Sequence, residues 1–191
     1  MKKHVLLPAV LLSLSLANSL RAEEVLYEID PVHSAVLLKV KHLGLADVFG
    51  RFNEMSGTVR HDPADPSKTS IEFEVKAASI DTNNADRDKH LRGPDFFNAA
   101  EFPVLTFKST KVEKKGNDEF EVTGDFTVRG VTKPATFEFD FGGTGKGMKG
   151  EERFGGGAKF EVKRSDFGID YLPQALGDEV KVIVSVEGIK K

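Results

Sequence analysis

Phenylalanine recurs at every second position along several stretches of this chain. Phe137, Phe139 and Phe141 alternate with Thr136, Glu138 and Asp140. Phe120, Val122, Gly124, Phe126 and Val128 alternate with Glu119, Glu121, Thr123, Asp125 and Thr127, and Ile71, Phe73 and Val75 with Glu72, Glu74 and Lys76. A period of two sends one set of side chains to one face of a strand and the other set to water. The chain is thereby confined to sheets with one apolar face. That face is dry, because the sequence has 15 Phe against 2 Tyr and no Trp, and Phe carries no polar atom that needs a partner when buried. The alternation alone leaves two outcomes open, a solid core or an apolar cavity.

The first residues follow a different rule. Lys2, Lys3 and His4 form a basic start, and Val5 to Ala17 form an apolar run broken only by Pro8, Ser13 and Ser15. The run is too short to span a bilayer. Small residues at Ala17-Asn18-Ser19 and Leu20-Arg21-Ala22 suit a signal peptidase. The pattern predicts a signal peptide over residues 1–22, a mature domain over 23–191 and a periplasmic location. No Cys follows the apolar run, so a lipid-modified N-terminus is excluded. Removing Lys2, Lys3 and Arg21 takes the net charge from −3 to −6. An acidic surface argues against nucleic acid as a partner and against electrostatic docking to anionic lipid. With no cysteine, the fold must be held by its core alone, and thiol catalysis, Zn–Cys sites and Fe–S clusters drop out.

Eight or nine strand-like runs follow in one domain. They cover residues 25–30, 35–42, 51–61, 69–77, 104–113, 119–128, 135–141, 157–163 and 179–187. Turn chemistry separates them at Asp62-Pro63-Ala64-Asp65-Pro66, at Lys115-Gly116-Asn117-Asp118 and at the run Gly142 to Gly147, which reads as a flexible hairpin loop. Arg129-Gly130 reads as a hairpin tip. From Asn83 to Asn98 the alternation stops, and charges appear at helical spacing, with Asn83 as a cap and a second turn starting at Pro94. Residues 171–177 read as another short helix. Many antiparallel strands, one core and few helices imply a closed barrel or a sandwich. The strand length and the in-strand Gly124, Gly156 and Gly157 favour the first, an all-β barrel of about eight strands with one or two short helices.

The segment from Thr82 to Arg92, then Asp95-Phe96-Phe97-Asn98, then Phe102-Pro103, resembles the signature of the YceI-like family of polyisoprenoid-binding proteins. Further pieces follow the family order: Asp30-Pro31-Val32-His33-Ser34, His42-Leu43-Gly44, Ser79-Ile80-Asp81-Thr82, Thr106-Phe107-Lys108-Ser109, Gly130-Val131-Thr132-Lys133-Pro134 and Arg164-Ser165-Asp166-Phe167-Gly168. The resemblance implies an exported, extended antiparallel lipocalin-like barrel, often a homodimer, enclosing a long amphiphilic lipid such as an isoprenoid quinone. It implies no required cofactor beyond that ligand, and it admits transient contact with a membrane or membrane protein during transport.

The alternation supplies the candidate wall of such a cavity: Val36, Leu38, Val40, Phe49, Phe52, Ile71, Phe73, Val75, Phe107, Phe126, Phe137, Phe139, Phe141, Phe160, Val182 and Val184. Leu91, Phe96 and Phe97 either plug or line one mouth or form a helix face packed on the barrel. A strand of ten residues rises about 33 Å, and a tilt near 40° leaves roughly 25 Å along the axis, a length suited to a chain-like ligand. Candidates for a headgroup contact are His33, Arg87, His90 and Arg92, although self-paired charges on a short helix also serve structure alone. Enzyme readings find little support. His33, His42, His61 and His90 show no metal-ligand spacing, no serine stands in G-x-S-x-G, and no phosphate-binding glycine motif opens a helix. Two readings compete: a periplasmic hydrolase acting on a hydrophobic substrate, with polar groups near the mouth, and a purely structural partner of a membrane complex, with a filled barrel.

Overall fold

In the computed structural model, residues 24–62 and 65–191 are described; the expected signal peptide, residues 1–22, lies outside them. The strands are β1 (Val25–Ile29), β2 (Ala35–His42), β3 (Ala46–Phe52), β4 (Met55–His61), β5 (Ser70–Lys76), β6 (Ile80–Asp81), β7 (Val104–Lys114), β8 (Glu119–Val128), β9 (Val131–Lys146), β10 (Glu152–Lys163) and β11 (Leu176–Lys190). One α-helix, α1 (Ala85–Leu91), precedes β7. All pairings are antiparallel, and the sheet closes on itself because β1 pairs with both β4 and β11.

Closure is built from eight staves, three of them broken. The long β11 pairs with β2 through Leu176 to Ser185 and with β1 through Gly188 to Lys190, so β1 and β2 are two halves of one stave. The strands β3 and β4 form the next stave, against β2 and β1, and β5 with β6 forms the third. The sequence pattern predicts one strand over residues 51–61. The structure interrupts the strand at Asn53-Glu54, opposite the interruption at Ala77–Ser79. The two breaks satisfy each other: Asn53 N donates to Ser79 O (3.1 Å), Glu54 N to Ser79 Oγ (3.1 Å) and Lys76 N to Glu54 O (3.0 Å). Aligned breaks let long staves bend together without leaving buried backbone unpaired.

Two bulges change the phase of the alternation. In β7 an extra residue, Thr110, falls between Ser109 and Lys111. In β9 the extra residue is Gly142, next to Gly143 at φ +107. The expected loop at 142–147 is therefore mostly strand, and the hairpin tip moves to residues 147–151. Arg129 and Gly130 form the expected tip between β8 and β9, both at positive φ, as a two-residue primed turn requires.

One end of the barrel is closed by α1 and the loops around it. The helix cap is Asn84, whose side chain accepts from Arg87 N at 2.9 Å, rather than Asn83, which sits at φ +60. Residues 93–97 form turns instead of a second helix, and so do residues 173–175. The second departure has a cause in Arg164. This buried guanidinium donates to the carbonyls of Ile169 (2.7 Å), Tyr171 (2.9 Å), Gly177 (3.0 Å) and Leu176 (3.2 Å). It takes up the Tyr171 carbonyl, which a helix over 171–177 would turn onto its own N–H groups, together with carbonyls on either side. Beneath these loops Phe52, Ile80, Phe96, Phe167 and Ile169 are buried in one cluster, with Phe97 edge-on to Phe52 at 5.4 Å.

The bend between β1 and β2 is fixed by Asp30. Its carboxylate accepts from Val32 N (3.0 Å) and Arg153 Nη1 (2.7 Å) and pairs with His33 Nδ1 (2.8 Å). The His33 and Arg153 partners hold its pKa down at about 2. A carboxylate pKa lowered on folding adds stability above the unfolded value and loses it as pH falls through the folded one. Asp30 thus contributes about 2 kcal/mol near neutrality, lost between about pH 4 and pH 2. Urea unfolding of Asp30→Asn is expected to show lower stability at pH 7 and a flatter decline from pH 5 to pH 2 than the parent chain.

Candidate functional site

Inward-facing glycines decide whether the Phe-rich face fills the barrel. Gly57, Gly124, Gly156 and Gly188 share the inward phase of their strands, and each lies under the ring of a neighbouring Phe. A Cβ added to Gly57 would meet Phe73 at 2.9 Å, and one on Gly124 would meet Phe107 at 2.6 Å. One on Gly156 would collide with Phe139, and one on Gly188 with Phe154. A ring laid back over a glycine covers exposed backbone and stays against the wall. The axis is left clear.

The result is a cavity of about 410 Å³ inside the barrel. Eight strands enclose an interior wide enough for one slender ligand when side chains do not fill it. Of the wall expected from the alternation, Val36, Leu38, Phe52, Ile71, Phe73, Val75, Phe107, Phe126, Phe137, Phe139, Phe141, Phe160, Val182 and Val184 line this cavity. Phe137 stacks on Phe160 at 4.7 Å, and Phe126 meets Phe160 edge-on at 6.1 Å.

Five expected wall residues lie elsewhere. Phe49 is three positions from Phe52, an odd step that puts the two on opposite faces of β3, and it is 57% exposed on the outside. Val40 keeps the inward phase but sits beyond the end of the cavity, beside Val48 and Val180. Leu91, Phe96 and Phe97 pack into the cluster that closes the helix end, so they plug rather than line.

The same alternation carries the wall further. Val25, Tyr27 and Ile29 in β1, Val59 in β4, Leu105 in β7, Phe120 and Val122 in β8, Phe154 and Ala158 in β10 and Val186 in β11 all line the cavity in phase with their strands. Val112 and Thr144 line it as well. They lie beyond the two bulges, so a strict count of two from Phe107 or Phe141 misses them.

The polar side chains of the wall gather at one end, with Tyr27 one inward position deeper than Val25, the partner of His61. His61, at the end of β4, and Thr69, just before β5, are half-buried, and His61 Nδ1 and Thr69 Oγ1 share a hydrogen bond at 3.0 Å. Thr144 is exposed, which marks this end as the mouth. Thr106, between Leu105 and Phe107, faces the other side of its strand. Burial pushes the His61 imidazole below its ordinary pKa, against the opposing pull of the Asp62 carboxylate. No Lys or Arg is among the described residues that line the cavity.

None of the expected headgroup contacts reaches the lumen. Arg87 donates to Thr82 Oγ1 and Thr82 O, both at 2.7 Å. Arg92 donates to Ala78 O (2.7 Å) and Ile80 O (2.8 Å). Buried Asp88 accepts from Thr82 N (2.8 Å) and Thr82 Oγ1 (2.5 Å). These bonds dock α1 on the barrel. His90 pairs with Asp95 at 2.8 Å and meets Phe96 and Tyr171 edge-on, each at 5.0 Å. His33 lies outside the barrel with Asp30. Asp30, His33 and Glu187 offer ligand atoms within 4.8 Å of one another. Arg153 Nη1 already bridges Asp30 (2.7 Å) and Glu187 (2.9 Å), so the position holds a guanidinium.

A closed antiparallel barrel with a one-ended apolar lumen defines the lipocalin-like class. Within that class the chain belongs to the YceI-like family, whose model matches residues 27–188. A UPF0312 protein of Shewanella denitrificans is 39% identical over 191 residues, all of both chains. The crystal structure of the Campylobacter jejuni YceI protein superposes with a TM-score of 0.71 at 35% identity, over 79% of this chain and 90% of that one. A polyisoprenoid binding domain from Saccharophagus degradans shares the fold, with a TM-score of 0.66 at 14% identity over 86% of this chain and 98% of that one.

Gly188 isolates the role of the glycines, because the three atoms nearest to an added Cβ there all belong to the Phe154 ring. Gly188→Ala is expected to lower stability by about 1–3 kcal/mol, the usual effect of overpacking. The double variant Gly188→Ala/Phe154→Leu should recover part of that loss. Urea denaturation of the two variants and the parent chain checks both expectations.

Proposed function

We propose that this protein binds one long-chain amphiphilic lipid, a polyisoprenoid or an isoprenoid quinone, with the tail in the lumen, and stores or carries it without covalent chemistry. The observation that carries the reading is the clear apolar axis behind the rings laid over Gly57, Gly124, Gly156 and Gly188. Each methylene moved from water into such a wall contributes about 0.8 kcal/mol. Ten of them gain about 8 kcal/mol before ordering costs, comparable to the free energy of a micromolar complex. The name of the Saccharophagus protein, a polyisoprenoid binding domain, adds support for the class of tail.

The proposal extends to place and assembly. The basic start, apolar run and small residues of the first 22 positions support export to the periplasm with cleavage after Ala22. A homodimer and passing contact with a membrane or membrane protein rest on the family resemblance.

Purification from periplasm without detergent, solvent extraction and mass spectrometry test the reading. The expected result is about one long-chain lipid per chain. Phe139→Arg should abolish lipid recovery and lower stability, because it leaves an unpaired charge in the lumen. A chain that comes out empty and also refuses a fluorescent long-chain lipid analogue would falsify the proposal.

A further inference from the structure

Resting on the proposed cargo, the geometry points to where the head of that cargo sits and what kind of head it is. We propose that the head lies at the mouth, hydrogen-bonded to His61 with Thr69 and Thr144 around it. The site takes an uncharged oxygen-bearing group, such as a hydroxyl or carbonyl, in preference to a phosphate or diphosphate.

The lumen is polar at one end only. His61 and Thr69 come from the adjoining β4 and β5 staves, and Thr144 comes from β9, opposite them in the ring of eight. An amphiphile whose tail fills the apolar length leaves its head among these three side chains. A head placed deeper meets Phe, Val and Ile, with the Tyr27 hydroxyl near the mouth as the one further polar group of the described wall, and a polar head buried without partners loses several kcal/mol. The helix end offers no alternative, because Phe52, Phe96 and Phe167 close it and Arg87 and Arg92 already donate to the backbone and Thr82.

The chemistry of the head follows from what His61 can offer. Its Nδ1 faces Thr69 Oγ1, and among the described residues no hydrogen bond reaches Nε2. The Thr69 hydroxyl donates or accepts, so either imidazole tautomer is satisfied, and Nε2 is then an acceptor or a donor for the guest. The lowered pKa keeps the ring neutral at pH 7. A neutral ring and hydroxyls suit a hydroxyl or carbonyl. A diphosphate needs charge-assisted partners, typically Arg or Lys, and the described lining holds neither.

The test uses the mature chain and three C20 probes: geranylgeraniol, geranylgeranyl diphosphate and the headless hydrocarbon phytane. Binding is measured for the parent chain, His61→Leu and Thr144→Val, the last at an exposed position that does not endanger folding. The parent is expected to bind geranylgeraniol at least about ten-fold more tightly than the diphosphate. His61→Leu should weaken geranylgeraniol by about five-fold, the effect of one hydrogen bond, and Thr144→Val by about two-fold. Phytane should be unaffected by either change. In nitrogen-15 spectra the His61 ring signals should move on adding geranylgeraniol, while those of His90 stay in place. Equal affinity for the diphosphate, a uniform loss across all three probes, or a shift at His90 instead of His61 overturns the assignment. A parent chain that binds none of the probes, phytane included, overturns the cargo reading itself and this inference with it.

Discussion

The contact between a phenylalanine ring and an inward-facing glycine is the constraint on which the lumen depends. An eight-stave barrel is narrow, and large side chains aimed at its axis fill it. In this chain Phe73, Phe107, Phe139 and Phe154 instead lie across Gly57, Gly124, Gly156 and Gly188. The glycines weaken their strands, since they bring no side chain to pack and lose more backbone freedom on folding. The rings offset that loss by covering the backbone. One arrangement thereby stabilises the wall and keeps the interior open.

Much of this was legible in the amino-acid order. The alternation located the strands that carry Phe73, Phe107, Phe126, Phe137, Phe139, Phe141 and Phe160 and gave their inward phase. The hairpin at Arg129-Gly130 was readable because a two-residue turn demands positive φ. Phe49 is a different lesson: its odd spacing from Phe52 already assigned it to the other face, and hydrophobicity alone obscured that. The bulges at Thr110 and Gly142 were hidden, since an extra residue reverses the phase only once the partner strand is known. The lumen itself was hidden too, because Gly124 or Gly156 reads as a weak strand position until a ring from the next stave is seen to cover it.

The two ends of the barrel use polar groups for opposite purposes. At the helix end they are consumed internally: Arg92 on the carbonyls of Ala78 and Ile80, Arg164 on four more, and Asp88 on Thr82. A charge on an isolated short helix reads from sequence as a surface feature. Folded, it serves as a bolt between α1 and the wall. At the mouth His61 keeps one ring nitrogen without a partner among the described residues, a less conspicuous feature in the sequence than the charged helix. The strongest polar motif in the chain therefore holds the plug in place, and a solitary histidine at the end of a strand faces the lumen.

The sealed helix end also dictates traffic. A tunnel open at both ends would let a guest be threaded through, whereas a dead-end bore makes arrival and departure the same movement run backwards. Under the proposed function, a long tail slides in first and withdraws last, and the rim stays in touch with the trailing end throughout. Whatever receives such a guest has to engage it at that rim, so loading and unloading compete for a single doorway.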